Sequence, residues 1–255
     1  IVLGFGGMTV NQEWINSFGI EPLGRYANEL AKSLSVPAAV YLNEVYEIDH
    51  AKRGIKSGFN SVLLETSNLS YEENINTTRE LVKFAHSNDA HVQGEVGHLP
   101  DFIEDNDSDK LTDPNKAKNF INLTNIDFLG VSVGNVHIFS KGNYNPNLDL
   151  LSRINEIVEI PLVIHGTTGF PEDKIDLAIK NGVAMFQVGT IIKETFFNEI
   201  KKNIQNIKII DNIHDYVGSR KEKDFLEPGK SKIIDLISKY INLFNSQNKK
   251  NLYGK

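Results

Sequence analysis

The chain contains no cysteine. Disulfides and thiolate metal sites are therefore excluded, and any bound metal must be held by His, Asp or Glu. A cysteine-free composition also fits a reducing compartment such as the cytoplasm, the expected location. No apolar run approaches the roughly 18 residues that a membrane helix requires. The apolar opening Ile1–Phe5 is too short for a signal peptide and lacks its leading positive charge. An excess of basic residues is missing too. The formal net charge is -6, which argues against a nucleic-acid partner, and Lys249, Lys250 and Lys255 read as a solvated end. The chain does not open on Met. Either a processed start or a longer original polypeptide is expected.

What is present suits a globular protein. The 255 residues are 40% hydrophobic and 24% charged, enough for one large α/β barrel or two smaller domains. Short apolar runs recur at Ile1–Phe5, Ala38–Leu42, Ser61–Leu64, His91–Val96, Phe128–Val133, Pro161–Ile164 and Ala184–Val188. Each has strand length and is apolar throughout, as buried parallel strands are. Amphipathic stretches separate them. In Tyr71–His86, Ile75, Leu81, Val82 and Ala85 share one helical face, and Asp149–Val158 and Glu172–Asn181 read similarly. The alternation predicts βαβ units and a parallel sheet, either a closed (β/α)8 barrel or an open doubly wound one. The polar stretch Gly97–Thr112 reads as a long functional loop. The region 191–244 reads as helical, with a charged break near Ser219–Asp224, and the whole chain as one domain.

In parallel α/β folds the chemistry stands at the C-terminal ends of the strands. Those positions hold Asn43-Glu44, Glu65-Thr66-Ser67, Glu95-Val96-Gly97-His98, Asn135-Val136-His137, His165-Gly166-Thr167-Thr168-Gly169 and Gln187-Val188-Gly189-Thr190. Polar residues at six successive strand ends are not a packing pattern. Singly, His137 or His165 reads as a hydrogen-bonded core residue; together with the carboxylates they are candidate ligands for a divalent cation. Glu44, Glu65 and Glu95 on one rim would repel one another unless a cation or a proton lay between them. Gly166–Gly169 and Gly189-Thr190 are small, hydroxyl-bearing turns suited to a phosphate. His50 and His86 fall on predicted helices and His214 in the tail, and these read as surface residues.

These residues resemble the class II fructose-bisphosphate and tagatose-bisphosphate aldolases. SVLLETSNLSYEENINTTRELVKFAH, residues 61–86, is similar to the family segment S-V-M-I-D-x-S, F-E-E-N-I, E-Y-A-H. Thr112-Asp113-Pro114 resembles its T-D-P, and Lys141-Gly142 and Leu148-Asp149 its stretch beyond the fifth strand. LVIHGTTGFP, residues 162–171, resembles its H-G-G-S-G-x-P signature. The resemblance implies a (β/α)8 barrel in which Ile1–Gly7 is the second strand, so that the first βα unit is missing from this chain. It implies a divalent metal, zinc first, with manganese, cobalt and iron as alternatives. His137 and His165 match two of the three ligand histidines. Gly166, Thr167, Thr168 and Gly169 match the phosphate turn and Thr190 the second one. Lys141 lies in the phosphate-side loop, and Glu95 matches a carboxylate near the metal. The expected substrate is a phosphorylated sugar or keto compound, and the expected assembly a homo-oligomer, dimer or tetramer.

The departures are specific. Where the family reads H-x-D-H, this chain reads Tyr41-Leu42-Asn43-Glu44. Glu44 then stands as third metal ligand, and Asn43 replaces the Asp that exchanges a proton with the substrate's C4 hydroxyl. Gln187 stands in place of Asn, Glu65 in place of Asp, and Ile138 in place of Gly. An amide orients a hydroxyl but cannot accept its proton. The expectation is a metal-dependent lyase with an altered site, its catalytic residues Asn43, Glu65 and Glu95, in which Glu65, His98 or a metal-bound water takes over the proton. The rival is a silent barrel that binds a phosphorylated sugar or serves as an assembly subunit.

Overall fold

The computed structural model describes residues 1–6, 19–97, 111–136, 144–207 and 211–249. Within these, strands β1 (Val2–Gly6), β2 (Ala39–Val45), β3 (Ser61–Leu64), β4 (His91–Val96), β5 (Phe128–Val131), β6 (Leu162–Ile164) and β7 (Val183–Phe186) form one sheet. Every neighbouring pair is parallel, and the order runs from β1 to β7 without a reversal. A doubly wound sheet would switch direction, so that alternative is excluded. The outer edges of β1 and β7 pair with no other strand among the described residues. An eighth strand is not among them.

Helices α1 (Ile20–Ser33), α2 (Ile48–Ser57), α3 (Tyr71–His86), α4 (Pro114–Thr124), α5 (Leu148–Ile157), α6 (Glu172–Lys180) and α7 (Thr190–Gln205) follow the strands, with α8 (Ile213–Tyr216) and α9 (Glu227–Leu243) after them. Their starts are written in the sequence. Ser70 and Glu73 form a reciprocal capping box on α3. Asp113 accepts from the Lys116 N–H at 2.8 Å, with Pro114 in the first turn of α4. Asn147 does the same for α5 through Leu150 N–H at 2.9 Å.

The sheet curls. In a flat sheet β2 and β7 would lie roughly 24 Å apart, at ~4.8 Å per strand. Instead the Gln187 amide nitrogen, one residue beyond β7, donates to the Tyr41 hydroxyl of β2 at 3.2 Å. The apolar core lies between the sheet and the helices, where Leu42, Val62, Leu81, Phe120, Leu129, Ile154 and Ile164 are buried together. The inside of the curl carries a polar group of side chains, Tyr41, Gln93 and Gln187. A stacked contact of Phe186 on Phe244, with ring centroids 4.6 Å apart, ties α9's end to β7.

The predicted strands sit within a few residues of the observed ones. β2 is the exception of interest, since it continues past Leu42 to Val45. Leu42 pairs with Val62 and Val45 with Leu64, so β2 spends three steps where β3 spends two. The extra residue is a β-bulge, and Glu44 within it has φ 53. His98, most of the predicted long loop, His137, Ile138 and Lys141 lie outside the described residues.

Candidate active site

The bulge decides where Glu44 points. In an unbroken strand Glu44 would share a face with Leu42, two residues earlier, which belongs to the outer core. One inserted residue and a left-handed backbone re-aim it. Its carboxylate Oε1 stands 3.3 Å from His165 Nδ1, and both side chains are buried. A left-handed Glu costs on the order of 1–2 kcal/mol.

His165 follows β6 directly. Its other nitrogen, Nε2, lies 2.9 Å from Glu95 Oε1 of β4. The ring is thus gripped between two carboxylates. Burial, the largest single influence, disfavours its charge, but Glu95 and then Glu44 outweigh it and raise its pKa to about 10. Asn135, fully buried, fixes the backbone above. Its amide nitrogen donates to the His165 carbonyl at 2.9 Å, and its oxygen accepts from the Val133 N–H at 2.8 Å.

The two predicted phosphate turns meet. Gly166 and Gly169 take φ 64 and 85, a left-handed backbone that suits glycine. The Thr167 N–H donates to the Gln187 carbonyl at 3.3 Å. Thr168 Oγ1 accepts from the Ile191 N–H at 3.1 Å and so caps α7 from the neighbouring turn. The N-cap of α7, Gly189, has no side chain to spend, and a Cβ added there would meet open space. Gln187 divides its work: its backbone supports the Thr167 turn while its side chain turns inward to Tyr41 and Gln93.

Of the three predicted catalytic residues, Glu95 joins His165 directly. Glu65 Oε1 instead accepts from the Ser67 N–H of its own turn at 2.6 Å. Asn43 Oδ1 is buried with no hydrogen-bond partner among the described residues, as are Ser132 Oγ and Thr167 Oγ1. These three stand at the ends of β2, β5 and β6, and buried polar atoms of this kind call for a partner from elsewhere. Among the described residues no group of three or more His, Asp or Glu is arranged to hold a metal. His137, the remaining expected ligand, is outside them.

Sequence reasoning gave no role to Tyr41, Gln93 or Ser132, and named Asn135 only as a polar residue beyond the fifth strand. The signal for Gln93 was available: Gln93 and Glu95 stand two apart in an apolar strand, which puts two polar groups on one face.

The sequence profile described as fructose-bisphosphate aldolase class-II matches residues 8–249. The chain belongs to the class II fructose-bisphosphate aldolase family. Members of this family are generally dependent on a divalent metal. Two solved structures show the same fold. The YdjI aldolase of Escherichia coli K12 is 23% identical, with a TM-score of 0.79 over 98% of this chain and 83% of that one. The fructose-bisphosphate aldolase of Campylobacter jejuni is 18% identical, with a TM-score of 0.74 over 96% and 83%. No helix among the described residues is long and apolar enough to cross a membrane.

Proposed function

We propose that this aldolase-family chain is a metal-dependent carbon–carbon lyase acting on a phosphorylated ketose or related keto compound, with Glu44, His137 and His165 as metal ligands. The apposition of Glu44 and His165 carries this reading. Two donors on one tetrahedral zinc at ~2.0–2.2 Å stand roughly 3.3–3.6 Å apart. Glu44 Oε1 and His165 Nδ1 have that separation. Glu95 supplies the carboxylate that a metal-bound imidazole uses on its far nitrogen, fixing the tautomer with Nδ1 free to bind. Compared with a third histidine, Glu44 lowers the charge of the site by one and softens its pull on electrons.

A divalent cation there would polarise the ketose carbonyl and offset the charge that builds on its oxygen as the carbon–carbon bond breaks. A substrate phosphate would rest on the turns of Gly166, Thr167, Thr168, Gly169, Gly189 and Thr190, and the resemblance adds Lys141 as its charge partner. The unpartnered atoms of Asn43, Ser132 and Thr167 suit a ligand rich in hydroxyls. Asn43 orients the hydroxyl on the carbon beyond the breaking bond. It cannot remove that proton, so among the described residues the task falls to Glu65 or Glu95.

The test is zinc titration by calorimetry, followed by turnover of a panel of phosphorylated ketoses, for wild type and His165→Ala. The proposal expects wild type to bind zinc and cleave at least one ketose, and the variant to do neither. Asn43 favours a second reading, a barrel that holds a phosphorylated sugar without cleaving it. Ligand binding with no turnover of any panel member would select that reading.

A further inference from the structure

Below the rim, the polar interior is organised around one amide. Gln93 of β4 is 1% exposed. Its Oε1 accepts from the Tyr41 hydroxyl at 2.9 Å and from the Gln187 amide at 3.2 Å. Its Nε2 donates to Glu95 Oε1 at 3.0 Å, the same oxygen that His165 Nε2 faces at 2.9 Å, so the two nitrogens, 2.7 Å apart, share one acceptor. An amide has one oxygen with two lone pairs and one nitrogen with two N–H groups. Both lone pairs are occupied. Turning the amide over would set its oxygen against the Glu95 carboxylate and its N–H groups against the Tyr41 and Gln187 donors. Burial, with the Glu95 charge behind it, pushes the Tyr41 phenol well above its ordinary pKa, so it stays a donor. Gly130 of β5 leaves the room needed: a Cβ there would come within 2.5 Å of Glu95 Oε1 and 3.0 Å of Gln93 Nε2.

We propose that Gln93 is a positioning residue, its amide locked by Tyr41 and Gln187 so that it holds the Glu95 carboxylate and, through it, the His165 ring in one relative placement. Its effect on metal binding rests on the ligand role proposed for His165; the placement itself does not. Gln187 extends the linkage. Its side chain holds Gln93 while its carbonyl holds the Thr167 turn, so the imidazole and the phosphate turn share one support.

The test uses full-length protein labelled with ¹⁵N-histidine, stripped of metal with a chelator, with the His165 signals assigned from His165→Ala. Tyr41→Phe removes a single oxygen; Gln93→Leu removes the amide. The expected result is that both variants shift or split the His165 ring-nitrogen signals and leave those of His86 and His91 in place. Zinc affinity should weaken about 10-fold in Gln93→Leu, the lower end of what loss of a ligand's supporting group causes, with kcat reduced and KM little changed. Unchanged His165 signals in Tyr41→Phe overturn the proposal, and that variant decides alone should Gln93→Leu fail to fold. A wild type without zinc affinity would defeat the metal reading. The nitrogen signals would still uphold or overturn the positioning role.

Discussion

Glu44 and His165 face each other at 3.3 Å although they arise from β2 and β6, and a single bulged residue creates the meeting. Glu44→Gln keeps the shape and removes the charge. Zinc affinity, read by calorimetry, should fall by more than the ~10–100-fold that loss of a merely supporting group causes. Glu44→His should bind zinc at least as tightly as wild type. Equal affinity in wild type and Glu44→Gln would remove Glu44 from the ligand set.

Asn43 marks the chemical departure. Asn43→Asp should raise cleavage of fructose or tagatose bisphosphate by about 10²-fold or more, the lower end of what a placed general base contributes. Release of triose phosphate from both bisphosphates, with zinc, manganese and cobalt in turn, is the measurement. Rapid cleavage of either by wild type would show that the amide does not disable the reaction, and Glu65→Gln and Glu95→Gln would then locate the substitute.

The turn after β6 makes a different prediction. Gly166 has φ 64, so Gly166→Val strains the backbone and crowds the cradle. KM for a phosphorylated ketose should rise at least about 10-fold, while thermal unfolding reports a loss of on the order of 1–2 kcal/mol. An unaltered KM would make the turn a plain connector.

The opposite end of the curled sheet holds a pH-dependent contact. Asp127, just before β5, receives the Val92 N–H at 2.7 Å and lies 3.0 Å from His86 Nε2 and 3.1 Å from His91 Nδ1. Burial works against its charge, but the Val92 N–H and then the two imidazoles outweigh it and hold its pKa below the ordinary value. A depressed folded-state pKa adds stability above the unfolded value of ~3.9, and that stability is lost as pH falls through the folded one. Wild type should exceed Asp127→Asn by about 1–2 kcal/mol at pH 5 in urea unfolding. The gap should close as pH falls below about 4. A gap that stays constant to pH 2 would assign the stability to something other than this carboxylate.

The strands were legible because parallel strands buried on both faces are apolar throughout, and the helices because their caps are local chemistry. Tyr71–His86 was bounded to the residue by its periodicity, and the Ser70-Glu73 capping box at its start is local chemistry of that kind. The rim was legible as residue types at strand ends. The interior was not. Tyr41 sits in an apolar run and reads as core, and nothing local says that its hydroxyl meets residues 52 and 146 positions away. Nor does sequence announce a bulge at a non-glycine residue. Asn43-Glu44 read as the end of a strand, whereas the strand continues through them with an extra residue.

Successive strands of this sheet are joined by short βα segments, whereas the hydrogen bond between Gln187 and Tyr41 links positions 146 apart. Closing a long loop costs more entropy than closing a short one, and local contacts form ahead of distant ones. The chain can therefore assemble its units in order of synthesis and still lack its interior network until the last strand arrives. In refolding, helical signal will recover first and occupancy of the His165 site last. Sheet and helices can exist without a working centre, but the centre cannot exist before the curl is complete.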